Sequence, residues 1–317
     1  MKSMIAFIFP GQGSQYVGMG KELYEAFEAA RRTFNEACQI LGFDLKRLCF
    51  EGNSDELKLT SNTQPAILTA SVAALKVLNE ETGIRPDFVA GHSLGEYSAL
   101  VAGGALSFTD AVHVVRKRGE FMQNAVPEGS GAMAAILGLS KEVVEDVCSE
   151  VSTDELIVGP ANFNTQEQTV ISGHKQAVEQ ACSLAKSKGA RRTVLLEVSG
   201  PFHSKLMNSA AKRLEEVLCK VRISELEIPV VANIDARPNI DPSRIKEILV
   251  EQVSAPVRWC ESIKTMCKLG VEEFLEIGPG NVLSGLVKRI VPDVVVSNFD
   301  KLDHLKSLKE KWNVLKK

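Results

Sequence analysis

Apolar residues in this chain alternate between two rhythms. Met4 to Phe9 is a short continuous apolar run that stops at Pro10-Gly11-Gln12-Gly13, as a buried strand feeding a glycine loop would. From Lys21 to Leu41 the spacing is helical. A longer helical pattern runs from Thr60 to about Glu81, with Gln64 and Pro65 in its first turns, where proline is tolerated, and Gly83 and Pro86 beyond its end. Val89-Ala90-Gly91 is a short strand, Glu96 to Ala102 a helix, and Thr109 to Asn124 another helix. Strands and helices in this alternation predict an α/β fold with a mainly parallel sheet flanked by helices on both faces.

Pro127-Glu128-Gly129-Ser130-Gly131 interrupts the pattern. Beyond it, strands are predicted at Ala132–Leu139, Glu155–Phe163, Gln168–Ser172 and Ala190–Leu196, with helices at Lys141–Val151 and Lys175–Lys188. That β-α-β-β-α-β order is ferredoxin-like. Residues 127–198 are therefore read as a small inserted domain, and 1–126 with 199–317 as one discontinuous larger domain; Ser199-Gly200-Pro201 is the return. The α/β pattern then resumes with a helix from Ser204, a strand near Pro229–Ala232, a helix from Pro242 and a strand at Glu272–Ile277. Leu302 to Lys316 is an amphipathic helix whose lysine-rich outer face is read as solvated.

Length agrees with about two domains, and the formal charge of −3 argues against a nucleic-acid partner. No apolar run approaches the roughly 18 residues that span a bilayer. The first ten residues carry only about six consecutive apolar positions before the glycine loop, so they are read as a strand rather than a targeting segment. Seven cysteines, without C-x-x-C or Cys/His metal spacing, are expected to be reduced, buried thiols in a cytoplasmic protein.

Chemistry concentrates at Gly91-His92-Ser93-Leu94-Gly95, a G-x-S-x-G between a strand and a helix. The glycines permit the sharp turn of a nucleophile elbow, and the helix start favours negative charge at Ser93 Oγ. Of five histidines, His203 suits the base: it sits in Gly200-Pro201-Phe202-His203-Ser204, a loop at the domain return. His92 is too close to Ser93 on the turn to serve as base but is placed to line the pocket. Ala111, Val115, Arg118 and Met122 form one helical stripe, which turns Arg118 inward. A buried guanidinium needs an anion, either an internal carboxylate or the carboxylate of a substrate. The N–H groups of Gln12 and Leu94 are placed to form an oxyanion hole. Ile277-Gly278-Pro279-Gly280-Asn281 is read as packing near the site.

In this order Phe9-Pro10-Gly11-Gln12-Gly13-Ser14-Gln15, Thr63-Gln64-Pro65-Ala66, Gly91-His92-Ser93-Leu94-Gly95-Glu96, Arg116-Lys117-Arg118-Gly119 with Met122-Gln123, Asn162-Phe163-Asn164, Pro201-Phe202-His203-Ser204, Gln252 with Pro256-Val257-Arg258-Trp259, and Glu276-Ile277-Gly278-Pro279-Gly280 span nearly the whole chain. Together they resemble the malonyl-CoA:acyl carrier protein transacylase family and the related acyltransferase domains of polyketide synthases. The resemblance implies a hydrolase-like α/β core with a ferredoxin-like insert. It implies Ser93 as nucleophile, His203 as base, Arg118 as clamp on the malonyl carboxylate, and Gln12 and Leu94 as the oxyanion hole. It also implies Gln64, His92, Met122 and Phe202 in the substrate pocket, and a main-chain carbonyl at Gln252 orienting the histidine. Phe202 accompanies malonyl preference in the polyketide relatives, although Gly200-Pro201 departs from the His-Ala that precedes it there.

The activity so implied is ping-pong transfer of malonyl from malonyl-CoA to the phosphopantetheine thiol of acyl carrier protein through a malonyl-serine. The expected enzyme is a stand-alone monomer of fatty acid synthesis with no bound cofactor, no metal, no nucleic acid and no membrane partner. Arg116, Lys117, Arg191 and Arg192 are candidates for docking the acidic carrier. Two rivals share features: a serine esterase or thioesterase, which expects a late histidine in the order Ser, Asp/Glu, His, and a non-catalytic acyl-CoA or acyl-carrier binding module.

Overall fold

The computed structural model describes residues 3–314. In chain order the elements are β1 (Met4–Phe9), α1 (Lys21–Ala26), α2 (Glu28–Leu41), α3 (Leu45–Glu51), α4 (Ser54–Lys58), α5 (Thr60–Thr82), β2 (Phe88–Gly91), α6 (Gly95–Ala102), α7 (Phe108–Gln123), β3 (Gly131–Leu137), α8 (Lys141–Val151), β4 (Val158–Thr165), β5 (Gln168–His174), α9 (Lys175–Ser187) and β6 (Arg192–Leu195). They continue with α10 (Asn208–Leu218), β7 (Val230–Val231), β8 (Pro238–Asn239), α11 (Pro242–Gln252), α12 (Trp259–Lys268), β9 (Val271–Ile277), α13 (Val282–Ile290), β10 (Val295–Phe299) and α14 (Leu302–Val314).

The period-two side-chain alternation of a strand explains why β1 is apolar throughout. Ile5, Phe7 and Phe9 enter a core shared with α2, α5, α6 and α7, while Ala6 and Ile8 enter another shared with α12 and α13. The sheet is thus covered on both faces. Its order is β10-β9-β1-β2-β7-β8. Every pairing is parallel except β7 with β8. Register aligns Phe9 with Gly91, and Ile8 with Glu276, so the loops after β1, β2 and β9 leave one edge together. Ligands bind at this carboxyl edge in open α/β sheets.

A second sheet, ordered β4-β5-β3-β6, is antiparallel throughout, as the ferredoxin-like element order anticipates. It touches the first assembly through β4: Val257 donates its N–H to Ala161 O (2.8 Å), and Phe163 donates to Val257 O (2.9 Å). Residues 3–314 contain no helix long and apolar enough to cross a membrane.

Several boundaries differ from the sequence expectation. The Lys21–Leu41 helix is two helices, parted at Phe27, which is extended (φ −125°, ψ 135°). Neither glycine nor proline marks this break. Around it, Tyr24, Phe34 and Phe50 pack ring against ring, with centroids 5.0–6.0 Å apart. β4 starts three residues later than expected, because Thr153 N–H bonds Leu156 O and Leu156 N–H bonds Thr153 Oγ1, closing a turn. The short elements α3, α4, β8 and β10 were not anticipated. Leu315 and Lys316 of the expected tail helix lie outside the described residues. Its lysine face is not simply solvated: Lys309 pairs with Glu81 and Lys311 with Glu273, while Leu305, Leu308 and Trp312 are buried beneath. Nor are all thiols buried, since Cys219 is exposed and Cys38 and Cys267 are half-buried; all seven are unpaired.

Candidate active site

The turn between β2 and α6 requires backbone to pass within touching distance of backbone. A Cβ on Gly91 would meet Gly95 C at 1.9 Å, and one on Gly95 would meet Phe9 O at 2.1 Å. Only glycine fits either place. The turn sets Ser93 at φ 51°, a left-handed conformation that costs a non-glycine residue of order 1–3 kcal/mol unless its surroundings hold it. They do so through Asn233, which follows β7. Asn233 Oδ1 accepts the Ser93 N–H (2.7 Å), and its Nδ2 donates to Gly91 O (2.7 Å).

His203 lies after β6 and before α10, also left-handed at φ 58° and buried. Its Nε2 is 2.7 Å from Ser93 Oγ. Its Nδ1 faces two main-chain carbonyls, Gln252 O at 2.9 Å and Ala255 O at 3.2 Å. Carbonyl oxygens only accept, so Nδ1 carries the proton and Nε2 presents a lone pair to the Ser93 hydroxyl. Burial first, and the nearby Arg118 cation second, depress the His203 pKa to about 3, partly offset by the two carbonyls. The imidazole is therefore neutral near pH 7, with its Nε2 lone pair free to accept the Ser93 proton.

Arg118, on α7, is 1% exposed. Its Nη1 donates to Gln64 Oε1 (2.9 Å), and its Nη2 to Gln252 Oε1 (2.9 Å) and Ser93 Oγ (3.2 Å). All three acceptors are neutral, Nε has no partner, and the guanidinium carbon lies 5.5 Å from the Tyr97 ring centroid. Burial lowers its pKa, yet a guanidinium stays charged. No carboxylate bonds the guanidinium directly; the buried Glu96 carboxyl group reaches it only through the Gln252 amide.

Gln252, at the end of α11, links these groups. Besides Arg118 and the imidazole, its Nε2 donates to Ser93 O (3.0 Å) and to Glu96 Oε2 (2.8 Å). Glu96 Oε2 also accepts the Asn233 N–H (3.0 Å). Burial lifts the Glu96 pKa to about 7 against these bonds and the Arg118 charge.

Ser93, His203, Arg118, Gln64, His92, Leu94, Gln12, Met122 and Phe202 line one cavity of about 110 Å³, so the sequence-predicted pocket residues converge. Among the described residues neither the Gln12 nor the Leu94 N–H has a protein acceptor, which leaves both for a ligand oxygen. His92 is held by Asn164 (Nε2 to Oδ1, 2.9 Å) against Trp259 and kept below the usual imidazole range, first by burial. Sequence reasoning missed Asn233, Glu96 as a partner of Gln252, and the far wall of Met133, Asn162, Leu196 and Val198. Gly-His-Ser-x-Gly-Glu already contains Glu96, and Asn233 follows a recognisable strand, but only folding brings them together.

Arg116 is spoken for. Pro65 has no N–H for Ser61 O, and Arg116 Nη1 supplies one (2.8 Å), while its Nε bonds Glu120 (2.8 Å). Glu276, before the Gly278-Pro279-Gly280 turn, caps α13 by accepting the N–H groups of Leu283 and Ser284. Among the described residues no cluster of three or more His, Cys, Asp or Glu is placed to hold a metal ion.

With this geometry in hand, comparison with known proteins is specific. Residues 6–301 match the family model described as acyl transferase domain. The malonyl CoA-acyl carrier protein transacylase of Bacillus subtilis strain 168 is 56% identical over 288 residues, 91% of this chain and 90% of that protein. Its namesake in Escherichia coli K12 is 46% identical over 295 residues, 93% and 95% of the two chains. Among solved structures, a malonyl-transacylase in complex with a type II polyketide synthase acyl-carrier protein superposes with TM-score 0.95 at 45% identity, covering 98% of this chain and 100% of that one. The malonyl CoA-acyl carrier protein transacylase of Coxiella burnetii does so at TM-score 0.95 and 42% identity, covering 97% of each.

Proposed function

This chain belongs to the acyl transferase domain family, and on that premise we propose that it moves a malonyl group from coenzyme A to the phosphopantetheine thiol of acyl carrier protein by way of a Ser93 ester. It is an acyltransferase; the roles below are our reading of its residues. In this reading residues 127–198 form the small domain, and the protein works in the cytoplasm supplying fatty acid synthesis.

His203 Nε2 takes the Ser93 proton as Oγ attacks the thioester carbonyl carbon. The carbonyl oxygen, now an anion, is held by the Gln12 and Leu94 N–H groups, donors that are typically worth about 10²- to 10³-fold each in rate. The tetrahedral adduct collapses, the C–S bond breaks, and the coenzyme A thiolate leaves with the proton from His203. The carrier thiol then gives its proton to His203 and attacks the ester, and Oγ departs with that proton. Throughout, Arg118 grips the free carboxylate. An acyl group without one leaves a buried cation unmatched, which discriminates for malonyl.

The observation that carries this reading is one oxygen with two neighbours: Ser93 Oγ lies 2.7 Å from a neutral imidazole and 3.2 Å from a guanidinium whose direct hydrogen-bond acceptors are all uncharged. A hydrolase of neutral esters has no use for that cation. Docking of the acidic carrier is assigned to exposed Arg191 and Arg192 in preference to Arg116, which is engaged internally.

Intact mass after incubation with malonyl-CoA tests the reading. A malonyl increment on the wild type and none on Ser93→Ala is expected. Hydrolysis without an adduct would replace transfer with an esterase, and an unmodified wild-type mass would replace it with a binding module.

A further inference from the structure

The buried charges around Gln252 do not add up to a resting network with only one job. Arg118 is a cation whose hydrogen-bond acceptors are all neutral. One amide away sits a buried carboxyl group, Glu96, 1% exposed, joined to Gln252 Nε2 at 2.8 Å while Gln252 Oε1 faces Arg118 at 2.9 Å. The Gln252 amide thus points its negative end at the cation and its positive end at the carboxyl group. The Glu96 carboxyl group bonds neither Ser93 Oγ nor the imidazole; it reaches Arg118 through Gln252, and the Ser93 backbone through Gln252 and Asn233.

We propose that Glu96 is a positioning residue that supplies the counter-charge of Arg118 while the pocket is empty, and that the arriving malonyl carboxylate takes over this role as Glu96 binds a proton from solvent. The inference rests on the reading of Arg118 as the malonyl clamp. A site with one buried cation stabilises one nearby anion well and two poorly, because the second carboxylate faces a neutralised partner across a dry interior. Other charged or ionisable groups around Glu96 are few: Asp235 in the turn after β7, which disfavours its ionised form, and Tyr97 beside it on α6. α11 meets it with the neutral Gln252, and His203, neutral itself, meets Arg118 across Ser93 Oγ. Glu96 already lies near its protonation midpoint at neutral pH, so a modest loss of cationic field tips it.

Linkage gives the sign. If malonyl binding brings a proton in, malonyl-CoA affinity falls as pH rises through the Glu96 midpoint, by at most about tenfold per pH unit. The test uses the full-length Ser93→Ala protein, which binds without transfer. Malonyl-CoA and acetyl-CoA are titrated calorimetrically in buffers of different ionisation enthalpy. Acetyl-CoA shares every titrating phosphate and lacks only the carboxylate. At pH 7, malonyl-CoA is expected to bind more tightly than acetyl-CoA and to take up about half a proton more. Adding Glu96→Gln, which keeps an oxygen for Gln252 and Asn233, should abolish the excess uptake and flatten the pH dependence while preserving malonyl preference. Tighter malonyl-CoA binding with no excess uptake would overturn the role of Glu96 and leave the clamp standing. Equal affinity for the two thioesters would remove the clamp and this inference together. If the double variant fails to fold, the proton count on Ser93→Ala still decides.

Discussion

His203 Nε2 lies 2.7 Å from Ser93 Oγ across 110 residues of sequence, and both residues hold left-handed backbone conformations, at φ 58° and 51°. Two strained positions facing each other are costly to maintain, and each is pinned by bonds to groups that follow the second sheet: Asn233 for the serine, the Gln252 and Ala255 carbonyls for the imidazole. The strain sits where the proposed mechanism moves a proton.

The depressed His203 pKa predicts a base that works well into acid. On this group alone, kcat/KM for malonyl-CoA should stay level from pH 8 down past the ordinary imidazole value of 6.5, with the fall due to His203 arriving near pH 3. An acid limb centred near 6.5 that persists in Glu96→Gln would contradict it. For stability, the native state binds fewer protons than the unfolded chain between those two pH values. The contribution of His203 is therefore complete above 6.5 and is lost as pH falls toward 3. Glu96 acts in the opposite sense: raised from 4.5 to about 7, it stabilises most below 4.5 and loses that contribution as pH rises to 7. Denaturation of Glu96→Gln against pH should accordingly show a steeper gain between 4.5 and 7 than the wild type.

Arg118→Ala should cost malonyl transfer on the order of 10²- to 10³-fold, in line with the roughly 2–5 kcal/mol lost when one member of a buried charge pair is removed. Acetyl transfer should hold or rise. Steady-state kinetics with both donors checks this, and equal losses would reduce Arg118 to a packing residue.

Asn233→Ala removes the acceptor of Ser93 N–H and the donor to Gly91 O. With the buried Gly91 O left unsatisfied, stability should drop by about 1–3 kcal/mol, and by less for the half-buried Ser93 N–H. Acylation at Ser93 should slow further than the stability loss explains, because the elbow is no longer held. Chemical denaturation with burst-phase acylation on the folded fraction separates the two effects.

Gly95→Ala is expected to yield little folded protein, since its Cβ would sit 2.1 Å from Phe9 O, and backbone cannot yield as a side chain can. Soluble expression with unchanged melting would show that β1 and the elbow can separate.

The elbow, the inward arginine and the histidine loop were legible because each leaves a local mark: glycines around Ser93, a four-three-four stripe through Arg118, and Gly-Pro before His203. The strand-helix alternation and the β-α-β-β-α-β order were legible for the same reason. Asn233 and Glu96 were not, because a buried polar residue acquires its meaning from partners 137 to 156 positions away. The break at Phe27 was invisible since the aromatic cluster that accompanies it forms only in three dimensions. The lysine face of the tail helix misled for the opposite reason: amphipathic spacing marks which side is polar, not that Glu81 and Glu273 are waiting there.

The Gln252 oxygen that receives the imidazole N–H belongs to the polypeptide itself. No replacement of a side chain can delete it, so a scan of single substitutions would pass over the group that orients the imidazole in the proposed mechanism. Exchanging Gln252 itself would disturb Arg118, Glu96 and the elbow while leaving that oxygen in place. Only an ester in place of the following amide, or a shift in where α11 ends, would reach it.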